Sequence, residues 1–259
     1  MTALSDEFRR VPLAHRGLHD VADARPENSR AGVRAAIDAG YGIEIDLQPS
    51  RDGRAMVFHD YDLGRLTAET GPIRGRDAAE LAKVPLSGGD EGIPDLSAIL
   101  RLVAGRVPLL IELKDQHGQM GDTDGTLEEA TARALDGYAG PVAVMSFNSS
   151  MVARMAKLAP DVPRGIVTCG FRADHWPLLR PETLARLRDI PDYASSGSQF
   201  VSQHMHELDT PRIAALRAEG ATILCWTVCS AEAERTARRV ADNITFEGYL
   251  PAIPAWIPA

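Results

Sequence analysis

Cysteine is scarce: Cys169, Cys225 and Cys229 are the only three, an odd count with no Cys-x-x-Cys pair. Cys225 and Cys229 flank the end of a predicted strand and stand too far apart for a usual zinc pair, so all three are expected to be buried thiols. No run of about 18 apolar residues occurs, and the opening segment MTALSDEFRRVPLAHRG lacks the apolar stretch of a signal peptide. A cytoplasmic location without stable membrane insertion is the resulting expectation. Blocks of lysine and arginine are also missing, and a net charge of −8 argues against a surface that coats nucleic acid. The partner expected is therefore a small molecule. The overall charge does not decide one pocket, because a bound cation can dominate a site locally. Internal repeats, low-complexity tails and interdomain linkers are absent as well.

The sequence does have the length, 259 residues, and the ordinary globular composition of an α/β protein built as one eight-fold β/α barrel. Short apolar runs alternate with helical patterns, as they do around a parallel sheet. The expected strands are Val11–His15, Tyr41–Leu47, Pro108–Leu113, Val142–Phe147, Gly165–Thr168, Gln199–Ser202, Thr222–Thr227 and Asn243–Phe246. Helical spacing marks Ser29–Ala39, Asp95–Val103, Leu127–Asp136, Asn148–Leu158, Thr210–Glu219 and Ala231–Val240, often opened by a capping Ser, Asp, Asn or Thr. Arg51-Asp52-Gly53 reads as a turn into an extra strand, Ala55–His59, so a hairpin interrupts the alternation and residues 61–93 elaborate its loop. The stretch Phe171–Ser198 shows poor periodicity among Pro, Gly and Ser. The terminal stretch Pro251–Ala259, with three prolines, is expected to pack as an irregular arm.

Residues two apart on a strand share a face, so Glu44 and Asp46 point into the barrel while Ile43, Ile45 and Leu47 pack outward. Burying two unpaired anions together is costly, and the resolutions are a raised pKa, a cationic neighbour or a metal ion. Glu112 and Lys114 repeat the spacing on another strand. Three oxygen-bearing side chains without cysteine suit one hard divalent cation, Mg²⁺ or Ca²⁺; the competing reading is a set of salt bridges from Glu112 to Lys114 or Arg16. His15 and Arg16 end a strand just before Gly17, which permits a sharp turn at the barrel mouth. His59 ends the hairpin strand beside Asp60, which can orient it. Two histidines beside an acid cluster would supply the base and the acid that phosphodiester cleavage needs. Trp226 offers a flat apolar face to a substrate, or ordinary core packing.

In order along the chain come His15-Arg16-Gly17, Pro26-Glu27-Asn28-Ser29, Glu44-Ile-Asp46, Asp52-Gly53, Val57-Phe58-His59-Asp60, Ile93-Pro94-Asp95-Leu96, Glu112-Leu-Lys114, Ser146-Phe147 and Trp226-Thr227-Val228. This ordered set resembles the glycerophosphodiester phosphodiesterase family over nearly the whole length. The resemblance implies a TIM barrel with one cation held by Glu44, Asp46 and Glu112, and with Arg16 and Lys114 on the phosphate. It also implies His15 and His59 as the acid–base pair, a glycerophosphodiester as substrate, and the segment after His59 as a cover for the glycerol moiety. The nearest enzymatic alternative is a phospholipase-D-type lyase that stops at a cyclic phosphate. A barrel that binds phosphodiesters without turnover is the alternative from another class.

Two departures from the family pattern stand out. Where the family commonly has Asp-Gly-Ile-Ile-Thr-Asp-Xaa-Pro, this chain has Asp242-Asn243-Ile244-Thr245-Phe246-Glu247-Gly248-Tyr249, read as a displaced acid. Cys229 stands where a polar residue is common. His204-x-His206 has the look of an amidohydrolase metal pair, but it follows a late strand rather than the first, which places it on the surface or rim. His19 falls in a loop, and His117 and His175 in polar loops; none is assigned a role.

Overall fold

The computed structural model describes residues 3–254. Among the described residues, nine strands form one sheet: β1 (Leu13–Ala14), β2 (Gly42–Pro49), β3 (Ala55–Val57), β4 (Leu109–Leu113), β5 (Val142–Ser146), β6 (Arg164–Thr168), β7 (Phe200–His204), β8 (Thr222–Val228) and β9 (Asn243–Phe246). All but β3 are parallel, and β1 pairs with both β2 and β9, so eight strands close into a barrel. The helices between them make this a (β/α)8 TIM barrel. β3 lies outside the ring, antiparallel to β2, with Leu47 opposite Val57, as the Asp52-Gly53 turn requires.

The helices are α1 (Glu7–Arg10), α2 (Arg30–Asp38), α3 (Ala78–Leu81), α4 (Leu96–Val103), α5 (Thr126–Leu135), α6 (Ser149–Leu158), α7 (Pro181–Arg188), α8 (Pro211–Ala218) and α9 (Ala231–Ala237). Ser29, Asp95, Asn148, Thr210 and Ser230 each accept a backbone N–H in the first turn of the helix that follows. Each such cap satisfies a donor that helix geometry leaves unpaired, about 1 kcal/mol apiece, which is why these starts were legible. α7 lies inside the stretch whose periodicity was poor; its start is set by Pro181 at the first turn rather than by a side-chain cap.

Alternation along the strands builds two apolar layers. Ile43, Ile45 and Leu47 face the helices with Leu96, Ile99 and Val201, while Leu13, Leu110, Met145, Val167, Phe200 and Leu224 fill the barrel. Gly165 makes room for the last of these layers, since a Cβ there would stand 2.4 Å from the Phe200 ring. Phe8 of α1 plugs the amino-terminal mouth, held by Asn243 Nδ2, which donates to the Phe8 carbonyl at 2.9 Å. Chemistry is thereby confined to the carboxyl-terminal mouth.

Several sequence expectations are corrected. β1 is two residues long, so His15 follows the strand rather than ending it. β2 runs on to Pro49, because pairing with β3 prolongs it beyond the barrel rim. β3 stops at Val57, two residues before His59. Residues 61–93 are more than a loop: α3 and two short 3-10 turns enclose a core of Met56, Phe58, Leu63, Ile73 and Leu86. Cys225 is buried, but Cys229 is exposed because it lies past β8. Of the expected terminal arm, Pro251 is anchored by its carbonyl, which accepts from Tyr41 Oη at 2.7 Å; residues 255–259 lie outside the described residues. No helix among the described residues is long and apolar enough to cross a membrane.

Candidate active site

The register of β2 on β4 sets Asp46 directly beside Glu112. Parallel neighbours share a face, so these two carboxylates and Glu44 converge inside the mouth, and one oxygen from each lies within 4.8 Å of the others. All three are buried. Lys114 Nζ reaches Asp46 Oδ1 and Glu112 Oε1, each at 2.7 Å. The salt-bridge reading of the sequence is thus realised, but it leaves Glu44 outside the bridge.

The turn after β1 adds a second cation. Arg16 adopts φ 54° and Gly17 φ 81°, which folds the chain back so that the Arg16 amide donates to Glu44 Oε2 at 3.1 Å. The Arg16 guanidinium donates through Nη1 to Glu27 Oε1 at 2.7 Å and brings Nε to 3.4 Å from Asp46 Oδ2. Asn28, also left-handed at φ 57°, donates from Nδ2 to Asp46 Oδ2 at 2.9 Å and accepts from the Asp46 amide. Its short amide tolerates that backbone conformation and fixes the Asp46 carboxylate.

Each histidine is held through Nδ1. His15 Nδ1 lies 2.6 Å from Glu247 Oε2, and its Nε2 is turned toward Glu44 Oε2 at 4.0 Å. His59 Nδ1 lies 2.6 Å from Asp60 Oδ1, and Asp60 is itself anchored by Arg65 at 2.6 Å. A carboxylate on Nδ1 selects the tautomer and leaves Nε2 for other partners.

Burial and mutual repulsion govern the charges. Burial first, then the Asp46 and Glu112 charges, push the Glu44 pKa well above the usual carboxylate range. Burial works in the same direction on Asp46, but Lys114, His59 and Arg16 outweigh it and hold that carboxyl low. Burial raises the Glu112 pKa, with Lys114 opposing. It lowers both histidines, His59 to about 4, against the pull of their carboxylate partners. The carboxylates outnumber the two cations that touch them, and the repulsion is relieved at Glu44, which holds its proton well above the usual carboxylate range. A set of three oxygen donors with one carboxylate under strain of this kind is what a hard divalent cation fits.

These residues line a cavity of about 440 Å³ that is divided in two. His15, Arg16, His59 and the acid cluster come from β1 to β4. The opposite wall, from β5, β6, β8 and the segments that follow β5 and β6, is apolar: Met145, Phe147, Val167, Trp176 and Trp226, with Met120 beside them. The Phe147 ring meets Trp226 at 5.6 Å and 90° and Trp176 at 5.1 Å and 59°. Trp226 lines the cavity, and its indole N–H donates to the Ser202 carbonyl at 3.0 Å. A wider groove of about 750 Å³ runs past α5 and α6 at the other end of the barrel; it is far from the acid cluster and brings together no catalytic group.

A family model described as "Glycerophosphoryl diester phosphodiesterase family" matches residues 15–243. The chain belongs to this family. As a glycerophosphoryl diester phosphodiesterase family member it is a phosphoric diester hydrolase. It is 27% identical over 226 residues to YhdW of Bacillus subtilis, a provisionally named glycerophosphodiester phosphodiesterase, covering 83% of this chain and 85% of that protein. The glycerophosphodiester phosphodiesterase of Caldanaerobacter subterraneus is 29% identical over 176 residues, 63% of this chain and 69% of the relative. Among solved structures, an Oleispira antarctica phosphodiesterase in complex with the product sn-glycerol-3-phosphate superposes with TM-score 0.72 at 24% identity, covering 90% of this chain and 91% of its own. A Thermotoga maritima glycerophosphodiester phosphodiesterase gives TM-score 0.69 at 20% identity, covering 91% and 94%.

The site of this phosphodiesterase brings together all eight residues singled out in the sequence: His15, Arg16, Glu44, Asp46, His59, Glu112, Lys114 and Trp226 all line the cavity. Four contributors were missed. Glu247 was read as a displaced acid, yet counted from Asp242 it holds the sixth position, that of the second Asp in the family pattern, and it binds His15. Asn28 and Glu27 stood in a recognised motif without a role. Phe147 was read only as the end of an expected strand and as part of a motif. From residues 61–93, only Tyr61 lines the cavity, and the rest of that segment packs on its own core. His204 packs on Trp226 at 5.0 Å and His206 is exposed, and neither joins the acid cluster.

Proposed function

We propose that the chain hydrolyses glycerophosphodiesters to glycerol 3-phosphate and an alcohol. Glu44, Asp46 and Glu112 hold one divalent cation, Mg²⁺ or Ca²⁺, and His15 and His59 move the protons. The observation that carries this reading is the convergence of three buried carboxylates with two carboxylate-held histidines in one cavity. When bound, the cation supplies charge to a phosphate oxygen and lowers the cost of the charge that grows on phosphorus.

The chain's own residues do the rest. Arg16 and Lys114 bring two fixed positive charges to the phosphate, pre-oriented by Glu27 and Asp46. One histidine takes the proton of the attacking oxygen as the new P–O bond forms; the other gives a proton to the departing alkoxide as the old bond breaks. Glu247 and Asp60 keep Nδ1 of each ring engaged throughout, so both transfers pass through Nε2.

Release of glycerol 3-phosphate from a panel of glycerophosphodiesters, with Mg²⁺, with Ca²⁺ and with a chelator, tests the reading. Chelator-sensitive release is expected. A persistent cyclic phosphate would instead identify a lyase, and no turnover with either metal would overturn the assignment.

Cation binding is also expected to release a proton. Glu44 has a raised pKa in the cation-free protein, so below that value the cation must displace its proton. Affinity should therefore fall as pH falls, beginning above the ordinary glutamate value of about 4.3, and level off at higher pH. Calorimetric titration of Mg²⁺ or Ca²⁺ at several pH values checks this; an affinity that stays constant down to the ordinary glutamate value refutes it.

A further inference from the structure

The apolar half of the cavity takes no part in the phosphate chemistry proposed above. It is built on a second small core: Phe171, Leu179, Leu184 and Leu187 pack beneath Trp176, Phe147 and Met120. The backing includes Leu184 and Leu187 of α7. Two residues beyond Trp176, Leu178 is 76% exposed, and its carbonyl accepts from Gln119 Nε2 of the β4–α5 loop. Across the mouth, Tyr61 is 55% exposed and fixed by its hydroxyl, which donates to the Asp115 carbonyl at 2.8 Å. The apolar wall within the cavity thus runs from Met145 and Trp226 to Trp176, and Leu178, two residues further along the chain, is left in water.

Two ligand chemistries favour aromatic walls: quaternary ammonium groups and hydrocarbon chains. The ring geometry decides between them. Phe147 lies in direct edge contact with both Trp176 and Trp226, within the roughly 4.5–7 Å centroid range of rings packed on one another. Rings packed on one another in this way form a continuous wall rather than a box open around a cation. Met120, Met145 and Val167 continue the wall with aliphatic surface, and the nearby carboxylates are already engaged: Asp115 accepts from the His117 and Gly118 amides and Asn148 Nδ2, and Asp60 is held by His59 and Arg65. We propose that the preferred substrate is an amphiphilic phosphodiester, one ester arm of which carries an alkyl or acyl chain. The chain lies along Met145, Phe147, Trp226 and Trp176 and leaves the cavity past Leu178. The inference rests on the phosphodiesterase reading above, and names the substrate class of the same site.

Each methylene removed from water is worth roughly three- to fourfold in affinity, so even a few seated methylenes have a large effect. The test compares kcat/KM of the full chain with Mg²⁺ for sn-glycero-3-phosphocholine and for its 1-octanoyl ester, both kept below micelle formation. The ester is expected to be favoured by at least about thirtyfold; equal values, or preference for the unacylated compound, overturn the proposal. Trp176→Ala should reduce that ratio about tenfold while Trp176→Phe largely retains it; an unchanged ratio in Trp176→Ala shows that the chain lies elsewhere. If neither compound is hydrolysed, the phosphodiesterase reading itself falls. The wall is then judged by tryptophan fluorescence during titration with octylphosphocholine and with phosphocholine, where tighter binding of the octyl compound supports it and equal binding overturns it.

Discussion

Replacing His15 by alanine is expected to lower kcat by about 10²–10⁴-fold without loss of the divalent cation. The ring sits between a carboxylate that holds Nδ1 at 2.6 Å and the acid cluster that its Nε2 faces. Alanine removes the proposed proton carrier and leaves Lys114 and the three carboxylates proposed to hold the cation in place. Glu247→Gln keeps the ring but exchanges an anionic partner for a neutral amide, so a smaller fall of about tenfold is expected. Steady-state rates together with calorimetric titration of the cation separate the two effects. Near-normal turnover of the His15 variant would remove this residue from the mechanism. Loss of cation binding in the same variant would mean that the residue supports the metal site rather than transferring a proton.

The second large effect concerns Lys114. Burial alone would lower its pKa, but Asp46 and Glu112 hold it above the ordinary lysine range, so the ammonium is charged where it is buried. In the Lys114→Met variant, Asp46 and Glu112 lose the cation that lies 2.7 Å from each. Breaking a buried pair by removing one partner costs about 3–5 kcal/mol, because the remaining charge is uncompensated. A divalent cation offers replacement charge at the same carboxylates, and any ligand that binds only the folded state adds stability by mass action. The variant should therefore unfold at a markedly lower temperature than the parent in chelator and recover much of the difference in millimolar Mg²⁺ or Ca²⁺. Its turnover should stay low even with the cation present, since a fixed charge on the phosphate has gone. Equal unfolding temperatures with and without cation would argue against a metal site on Glu44, Asp46 and Glu112.

The legible part of this protein was the part written in local periodicity. Glu44 and Asp46 declare a shared inward face by their spacing alone, and the outward Ile43, Ile45 and Leu47 declare the helix-facing side. Five helix starts were readable because Ser29, Asp95, Asn148, Thr210 and Ser230 supply local hydrogen bonds that do not depend on the rest of the fold. α7 has no side-chain cap, and its segment is organised by contacts with Met120 and Phe147 from other β/α units, so its periodicity was weak. Glu247 was visible as an acid after the last strand; its meaning depended on lying across the closure of the barrel from His15, 232 residues away.

By itself, the sequence determined the barrel class and the set of charged and histidine side chains at its mouth, because strand alternation and ordered motifs act over a few residues. Tertiary structure alone decided how those groups are paired. The β2–β4 register put Asp46 beside Glu112 and under Lys114, barrel closure brought Glu247 to His15, and the packing of α7 beneath Trp176 gave the cavity its apolar half. Each of these depends on which strands and helices become neighbours in space, and that is settled by packing across the whole barrel rather than by any local run of residues.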